Sequence, residues 1–385
     1  MIVIVIIAMV MLAYIGWGFF STVRFKKPSG HYAVGTTGME VTDNSRIEDA
    51  LMDRQKFRRL LLQFWYPAIK TNEAVKATYH PNPEIFNSDV TNLFNSIPNV
   101  LLKRLSGSKT NALLNAPLSI SENNYPVLVF SHGMDGMRSM NTFQMEELAS
   151  HGYIIVSIEH SFAASGTVFN DGSKAGVTPY ELMEDESFGN AMVNKWSADQ
   201  VFTINYLEKL NEQQGNTFSG RLNMKELGVF GFSFGGAVST NTLVLDKRIK
   251  AGVNLDGFYY GENYSKGFEQ PFMEIRSQPA TPDKVSEKEL EMSHLTRERW
   301  KFLWFDEWNK RLSVYAKNGY YSYTMNGANH FSFCDLPLMA PFQWLLAPKA
   351  ARIHELTNQY TLAFFNKELR GIENGLLNDP IKLLK

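Results

Sequence analysis

From residue 126 onward, short unbroken apolar runs alternate with longer stretches of helical period. Val127, Leu128, Val129 and Phe130 form one such run, and residues 153–158 form another. Runs without polar alternation are what a parallel strand covered on both faces requires. Helical stretches follow over 141–150, with Gly152 as the stop, and over about 191–210. The pattern predicts further strands at 227–232, 251–255, 271–275 and 320–325. It places a helix at 237–245, beginning near Gly235, and a closing helix over about 352–367. Strand and helix in alternation imply an α/β fold whose mostly parallel central sheet is flanked by helices.

The N-terminal part reads differently. Residues 1–20 are almost wholly apolar and carry no charged side chain. Twenty helical residues span about 30 Å, the thickness of a bilayer core, so this stretch is expected to be a single-pass transmembrane anchor. A cleaved signal peptide is the alternative, but no basic region precedes the apolar run and no Ala-x-Ala site follows it. Arg24, Lys26 and Lys27 flank its C-terminal end; they do not settle orientation, because large domains cross membranes regardless of such charges. Residues 21–35, with Pro28, Ser29 and Gly30, read as a linker, and 36–385 as the folded domain. Within that domain an early strand covers 60–67 and ends at Pro67. Residues 71–122 are polar and poorly periodic apart from an apolar patch at 100–105, and read as a surface excursion. Residues 283–319 form a charged, tryptophan-rich helical insertion. Trp300, Leu303, Trp304 and Trp308 at helical spacing suit a helix packed on the body, with a cap over the site as the alternative.

Chemistry enters at Gly231-Phe232-Ser233-Phe234-Gly235, a Gly-x-Ser-x-Gly between an apolar strand and a helical stretch. In that setting the serine sits on a strained turn that lifts its hydroxyl out of the sheet. The glycines lack the Cβ atoms that would clash as strand and helix pass. An elbow serine needs a general base and a group to orient that base. His330 follows the last strand and is the candidate base; Asp256 follows the strand at 251–255, 23 residues after the serine, and is the candidate orienter. Asp306 and Glu307 are weaker candidates because they sit in a helical stretch, and Asp335 falls after the histidine. Two backbone N–H groups should hold a developing oxyanion: that of Phe234, and that of Met134 in the His132-Gly133-Met134 loop after a buried strand. His132 is expected to brace that loop, and His160 to be structural.

Composition removes other functions. The chain has 38 basic and 39 acidic residues, a net charge of −1, so no basic field exists to hold nucleic acid. Cys334 is the single cysteine, which rules out an intramolecular disulfide and a thiolate zinc site; no HExxH is present. No metal or cofactor is expected.

Several stretches resemble the platelet-activating factor acetylhydrolases of the plasma and intracellular type II group. They are residues 32–37, 129–133, 148–153 followed by Glu159-His160, 231–236, and Leu255-Asp256, in order and with compatible spacing. The resemblance covers about residues 30 to 365. It implies an α/β-hydrolase fold and a calcium-independent serine esterase acting on phospholipids with short or oxidised acyl chains. By matching motif, Ser233, Asp256 and His330 take the triad positions, with Phe234 and Met134 at the oxyanion hole. The resemblance also favours an extracytoplasmic catalytic domain. Phe232 stands where histidine is usual in the animal enzymes. The expected partners are a lipid or small-molecule ester and a membrane. The competing readings are a general carboxylesterase, polyester hydrolase or peptidase, and an inactive membrane-tethered binding module on the same fold.

Overall fold

The computed structural model describes residues 21–50, 56–82, 99–176, 186–260, 267–293, 295–306, 308–309, 311, 320–340, 347–379 and 381–384. Among them, strands β1 (Ala33–Ile47), β2 (Phe57–Ala68), β3 (Lys76–Thr78), β4 (Lys109–Leu114), β5 (Tyr125–Ser131) and β6 (Ile154–Glu159) come first in the chain. A small hairpin, β7 (Thr167–Val168) and β8 (Lys174–Ala175), follows, and then β9 (Leu222–Phe232), β10 (Ala251–Leu255), β11 (Phe272–Ser277), β12 (Tyr321–Met325) and β13 (Ile381–Leu384). Eleven strands form one sheet in the order β13-β12-β11-β10-β9-β5-β6-β2-β1-β4-β3. From β6 to β13 every neighbour is parallel, whereas β2 is antiparallel to both β1 and β6. This is the mostly parallel sheet that the apolar runs predict.

The central strands bury both faces, and their side chains alternate between two cores. Leu128, Phe130, Phe230 and Phe232 enter one core, with Leu148 of α2 (Thr142–Ser150) and Phe364 and Phe365 of α7 (Ala350–Arg370). Val127, Val129, Leu227 and Val229 enter the other, with Ile204 and Leu207 of α3 (Glu186–Glu212). Period-2 alternation between two apolar layers is why these strands carry almost no polar residues. Helix α4 (Phe234–Leu245) packs with α3.

The structure departs from expectation in several places. Residues 33–35, placed in the linker, open β1, a long strand without a strong apolar pattern because much of its outer face is solvated. The preceding residues pack on the body: Val23 is buried, and its N–H donates to Ser108 Oγ at 2.7 Å. The polar excursion at 71–122 supplies β3, α1 (Asn99–Ser106) and β4. Pro67 lies inside β2 rather than ending it. Pairing with β6 stops at Trp65, so the missing N–H falls where that neighbour has ended. The tryptophan-rich stretch is not one helix. It divides into α5 (Glu287–Ser293), α6 (Arg297–Lys301) and a π-helical turn, Phe302–Asp306, with Trp300 and Trp304 buried beside Phe258. Strand β13 has no counterpart in the apolar pattern of the sequence. Among the described residues no helix is long and apolar enough to cross a membrane; the anchor expected over residues 1–20 lies outside them.

Candidate active site

The C-terminal ends of the parallel strands meet along one edge, where an open α/β sheet presents its ligand crevice. Register aligns Ser131 with Gly231, Phe232 with Leu255, and Leu255 with Ile275. The residues that follow β9, β10 and β12 are therefore brought together from far apart in sequence.

Ser233 stands between β9 and α4 at φ 55° and ψ −124°, a conformation that side chains other than glycine rarely adopt. Its N–H donates to the Leu255 carbonyl at 2.8 Å. The close approach that makes the turn possible is measurable at its glycines. A Cβ on Gly231 would lie 2.0 Å from the Gly235 carbonyl oxygen, and one on Gly235 the same distance from that of Ser131. Asp256, one residue past β10, also has positive φ, 55°. The Asn254 side chain secures the turn after it by accepting from Gly257 N–H at 2.8 Å.

His330 begins a 3-10 turn, His330–Phe333, five residues after β12. Its Nδ1 is 2.8 Å from Asp256 Oδ2 and its Nε2 is 2.8 Å from Ser233 Oγ. A carboxylate only accepts, so Nδ1 carries the proton and Nε2 turns its lone pair to the serine hydroxyl. Asp256 is buried, while His330 remains about a third exposed and reachable from solvent. The ring of Phe232 packs 5.0 Å from that of His330. Such an arrangement can take a proton from the serine hydroxyl and hold the resulting imidazolium against a carboxylate.

Of the two expected oxyanion donors, Phe234 directly follows this serine, and Met134 follows Gly133, which approaches it. Phe234 is the first residue of α4, so its N–H has no carbonyl within its own helix to bond. Gly133, immediately before Met134, lies so close that a Cβ there would be 3.0 Å from Ser233 Cβ. Met134 and Tyr260 pack against a buried apolar cluster that includes Trp196 and Phe234. His132 Nδ1 lies 2.6 Å from the Gly133 carbonyl oxygen, and burial, then His160, lowers its pKa to about 3. His160 lies in the core against Asp199 and Ser131.

The remaining acids are engaged elsewhere. Asp306 ends the π-helical turn and pairs with Lys301 at 3.9 Å; Glu307 lies outside the described residues. Asp335 accepts the N–H groups of Thr142 and Phe143 at the start of α2, at 2.6 and 3.3 Å, and burial pushes its pKa well up. Ser277 is a further functional residue, which no sequence motif marks. It closes β11 and donates its N–H to Asp256 Oδ1 at 2.7 Å. The available signal was its place at the end of the strand beside that of Asp256. Among the described residues no group of three or more His, Cys, Asp or Glu side chains is placed to hold a metal ion.

A family model described as platelet-activating factor acetylhydrolase, isoform II, matches residues 17–370. A platelet-activating factor acetylhydrolase of Cavia porcellus is 30% identical over 283 residues, covering 67% of this chain and 62% of that protein. A probable 1-alkyl-2-acetylglycerophosphocholine esterase of Arthroderma benhamiae is 25% identical over 278 residues, covering 66% and 63%. The chain thus spans less than two thirds of the length of these curated relatives. In three dimensions it is similar to a ferulic acid esterase from Streptomyces cinnamoneus, with a TM-score of 0.66 at 24% identity, covering 94% of this chain and 96% of that one. At that identity the likeness bears on the α/β-hydrolase fold alone.

Proposed function

The chain belongs to the platelet-activating factor acetylhydrolase isoform II family, and from that premise we propose that it is a serine ester hydrolase. One observation carries the reading: His330 bridges Ser233 and Asp256 with 2.8 Å contacts on both sides. Ser233 Oγ attacks the acyl carbonyl as His330 Nε2 takes its proton, and Asp256 keeps the imidazole in the required tautomer. The N–H groups of Phe234 and Met134 stabilise the oxyanion. His330 then returns the proton to the leaving alcohol. Water, activated by the same imidazole, releases the acyl group from the serine.

The substrate class we propose is a phospholipid with a short or oxidised acyl chain. Family membership supports it, as does the crowding of Met134, Trp196, Phe234 and Tyr260 beside the two donors, which suits a small acyl group. A lipid substrate agrees with the further proposal that residues 1–20 form a single-pass anchor, with the catalytic domain on the extracytoplasmic side. A general carboxylesterase remains the second reading, because the triad geometry is indifferent to the alcohol.

Ser233→Ala tests the reading directly. It should leave the fold intact, remove labelling by a fluorophosphonate, and lower kcat on p-nitrophenyl acetate by about 10⁴-fold or more. Turnover above about a tenth of wild type would overturn the assignment and favour an inactive module or a different nucleophile.

A further inference from the structure

Past β5 the chain turns through His132, Gly133 and Met134, and two donors converge on the carbonyl of Gly133. They are the N–H of Gly136 at 2.9 Å and His132 Nδ1 at 2.6 Å. The peptide unit joining Gly133 to Met134 is planar and trans, so its carbonyl and its N–H point in opposite directions. Whatever fixes the Gly133 carbonyl therefore fixes the direction of the Met134 N–H. His132 can do so in one tautomer only. Its Nε2 accepts the backbone N–H of His160 at 3.2 Å, so its proton resides on Nδ1 and is donated to Gly133.

His160 is itself held on every side. Its Nδ1 donates to Asp199 Oδ2 at 2.8 Å, its Nε2 accepts the Ser131 hydroxyl at 2.9 Å, and its ring stacks on Trp196 at 4.0 Å. Asp199 is clamped by Arg58 through Nε at 3.1 Å and Nη2 at 2.7 Å. Burial alone would raise the Asp199 carboxyl, but Arg58 and His160 more than offset this and hold it below the usual carboxylate range. Serine, histidine and aspartate thus recur here in the same contact order as at the site above. This second set is fully buried, and Ser131 Oγ also accepts from Gln200 Nε2 at 2.9 Å, so no ester carbonyl can reach it. Its use is mechanical.

We propose that His160 and Asp199 are positioning residues for the oxyanion donor at Met134, acting through Ser131 and His132 on the Gly133–Met134 peptide. The proposal rests on the esterase reading. A hydrogen bond weakens steeply as its angle closes, and an oxyanion gains more from a well-aimed donor than a ground-state carbonyl does. Loss of alignment should therefore lower kcat and spare KM.

The test compares p-nitrophenyl acetate with its thiono analogue, whose sulfur is a poor acceptor of N–H and whose turnover depends little on donor alignment. Active sites are counted with a fluorophosphonate. His160→Asn keeps a donor toward Asp199 and loses the contact with Ser131. It should lower kcat on the oxygen ester by about 10- to 100-fold, somewhat less than removal of a whole oxyanion donor, with KM within about twofold and thionoester turnover within about threefold. Ser131→Ala leaves the histidine and its carboxylate in place and should act in the same direction by about three- to tenfold, so it carries the test if His160→Asn does not fold. Equal losses on both esters, or unchanged oxygen-ester turnover in the variants that fold, would overturn the positioning role and leave the esterase reading standing. Wild-type protein inert toward both esters would overturn both.

Discussion

Ser277 holds the same Asp256 carboxylate that His330 contacts. Its N–H donates to Oδ1 at 2.7 Å, and its hydroxyl lies 3.0 and 2.9 Å from the two carboxylate oxygens. The carboxylate of a triad is useful only in one orientation. Here the neighbouring strand, rather than the Asp256 turn itself, supplies the restraint.

Two substitutions separate charge from orientation. Asp256→Asn preserves shape but favours the wrong tautomer of His330, and kcat should fall by about 10⁴-fold, as in the serine-protease case. Ser277→Ala removes the hydroxyl and keeps the N–H, so the loss should be about three- to tenfold, with KM unchanged. Steady-state kinetics on p-nitrophenyl acetate distinguish the two. A silent Ser277→Ala would show that the backbone donor orients Asp256 unaided.

Much of this was legible in the sequence because the central strands are buried on both faces and cannot hide their apolar runs. Ser233 and Asp256 stand out because each directly follows such a strand, and His330 because it lies in the loop five residues past β12. The outer elements were less readable. Strand β1 alternates weakly because it holds few large apolar side chains, with Gly35, Thr36, Thr37 and Gly38 in sequence, and β3, α1 and β4 are built from residues 71–122, whose polar composition resembles a loop. Ser277 escaped notice because a strand-terminal serine has no distinguishing pattern until register sets it beside Asp256. The Asp199–His160 contact spans 39 residues and joins a strand end to a helix face, which no local periodicity announces.

The elbow glycines should be intolerant of any side chain. A Cβ on Gly235 would lie 2.0 Å from the Ser131 carbonyl oxygen and 2.4 Å from that of His132, both backbone atoms that no side-chain rotation can move. Gly235→Ala should therefore push α4 away from β5, disturbing Ser233 and the Met134 loop together. Activity should fall by about 10²-fold or more, since misplacement by an ångström costs that much. Thermal melting should show a destabilised protein. Wild-type turnover and melting in this variant would contradict the packing of the turn.

Glu146 makes the stability of the fold depend on pH. It is buried in α2 and accepts the N–H groups of Asn111 and Ala112 at 2.6 and 2.7 Å, tying the helix to β4. Burial pushes its carboxyl up to about 7, against the pull of those donors. A folded pKa above the unfolded one means that the folded chain holds the extra proton, so this contribution is fully present below the unfolded pKa, near 4.5, and is lost as pH rises through 7. Glu146→Gln does not titrate. Urea unfolding should show the stability of wild type, relative to this variant, falling between pH 5 and 7 by up to about 1.4 kcal/mol per unit and levelling above 8. A difference that stays constant or grows with pH would place Glu146 in a more polar setting than the fold gives it.

The proposed anchor and the body meet at a boundary that deletions can locate. Protein that keeps residues 1–20 should stay with membranes through high-salt and carbonate washes, because twenty apolar residues in lipid do not rely on the charge attraction that salt screens. Removing residues 1–20 should release a soluble protein whose kcat on p-nitrophenyl acetate is within about twofold of wild type, with a larger loss on bilayer-embedded ester. Removing residues 1–27 should do more harm. The Ser21 carbonyl accepts from Arg104 Nε at 2.6 Å, Val23 is buried with its N–H on Ser108, and the ring of Phe25 stacks on Tyr79 at 5.5 Å. Burying a side chain such as Val23 contributes about 1.5–3 kcal/mol, a sizeable share of the 5–15 kcal/mol typical of a folded domain. The longer deletion should thus unfold at lower urea than the shorter one. Equal stability of the two truncations would mean that residues 21–27 are the linker their composition implies and that the fold begins at β1. Mature protein beginning after residue 20 and free in the medium would show instead that the apolar stretch is a cleaved signal.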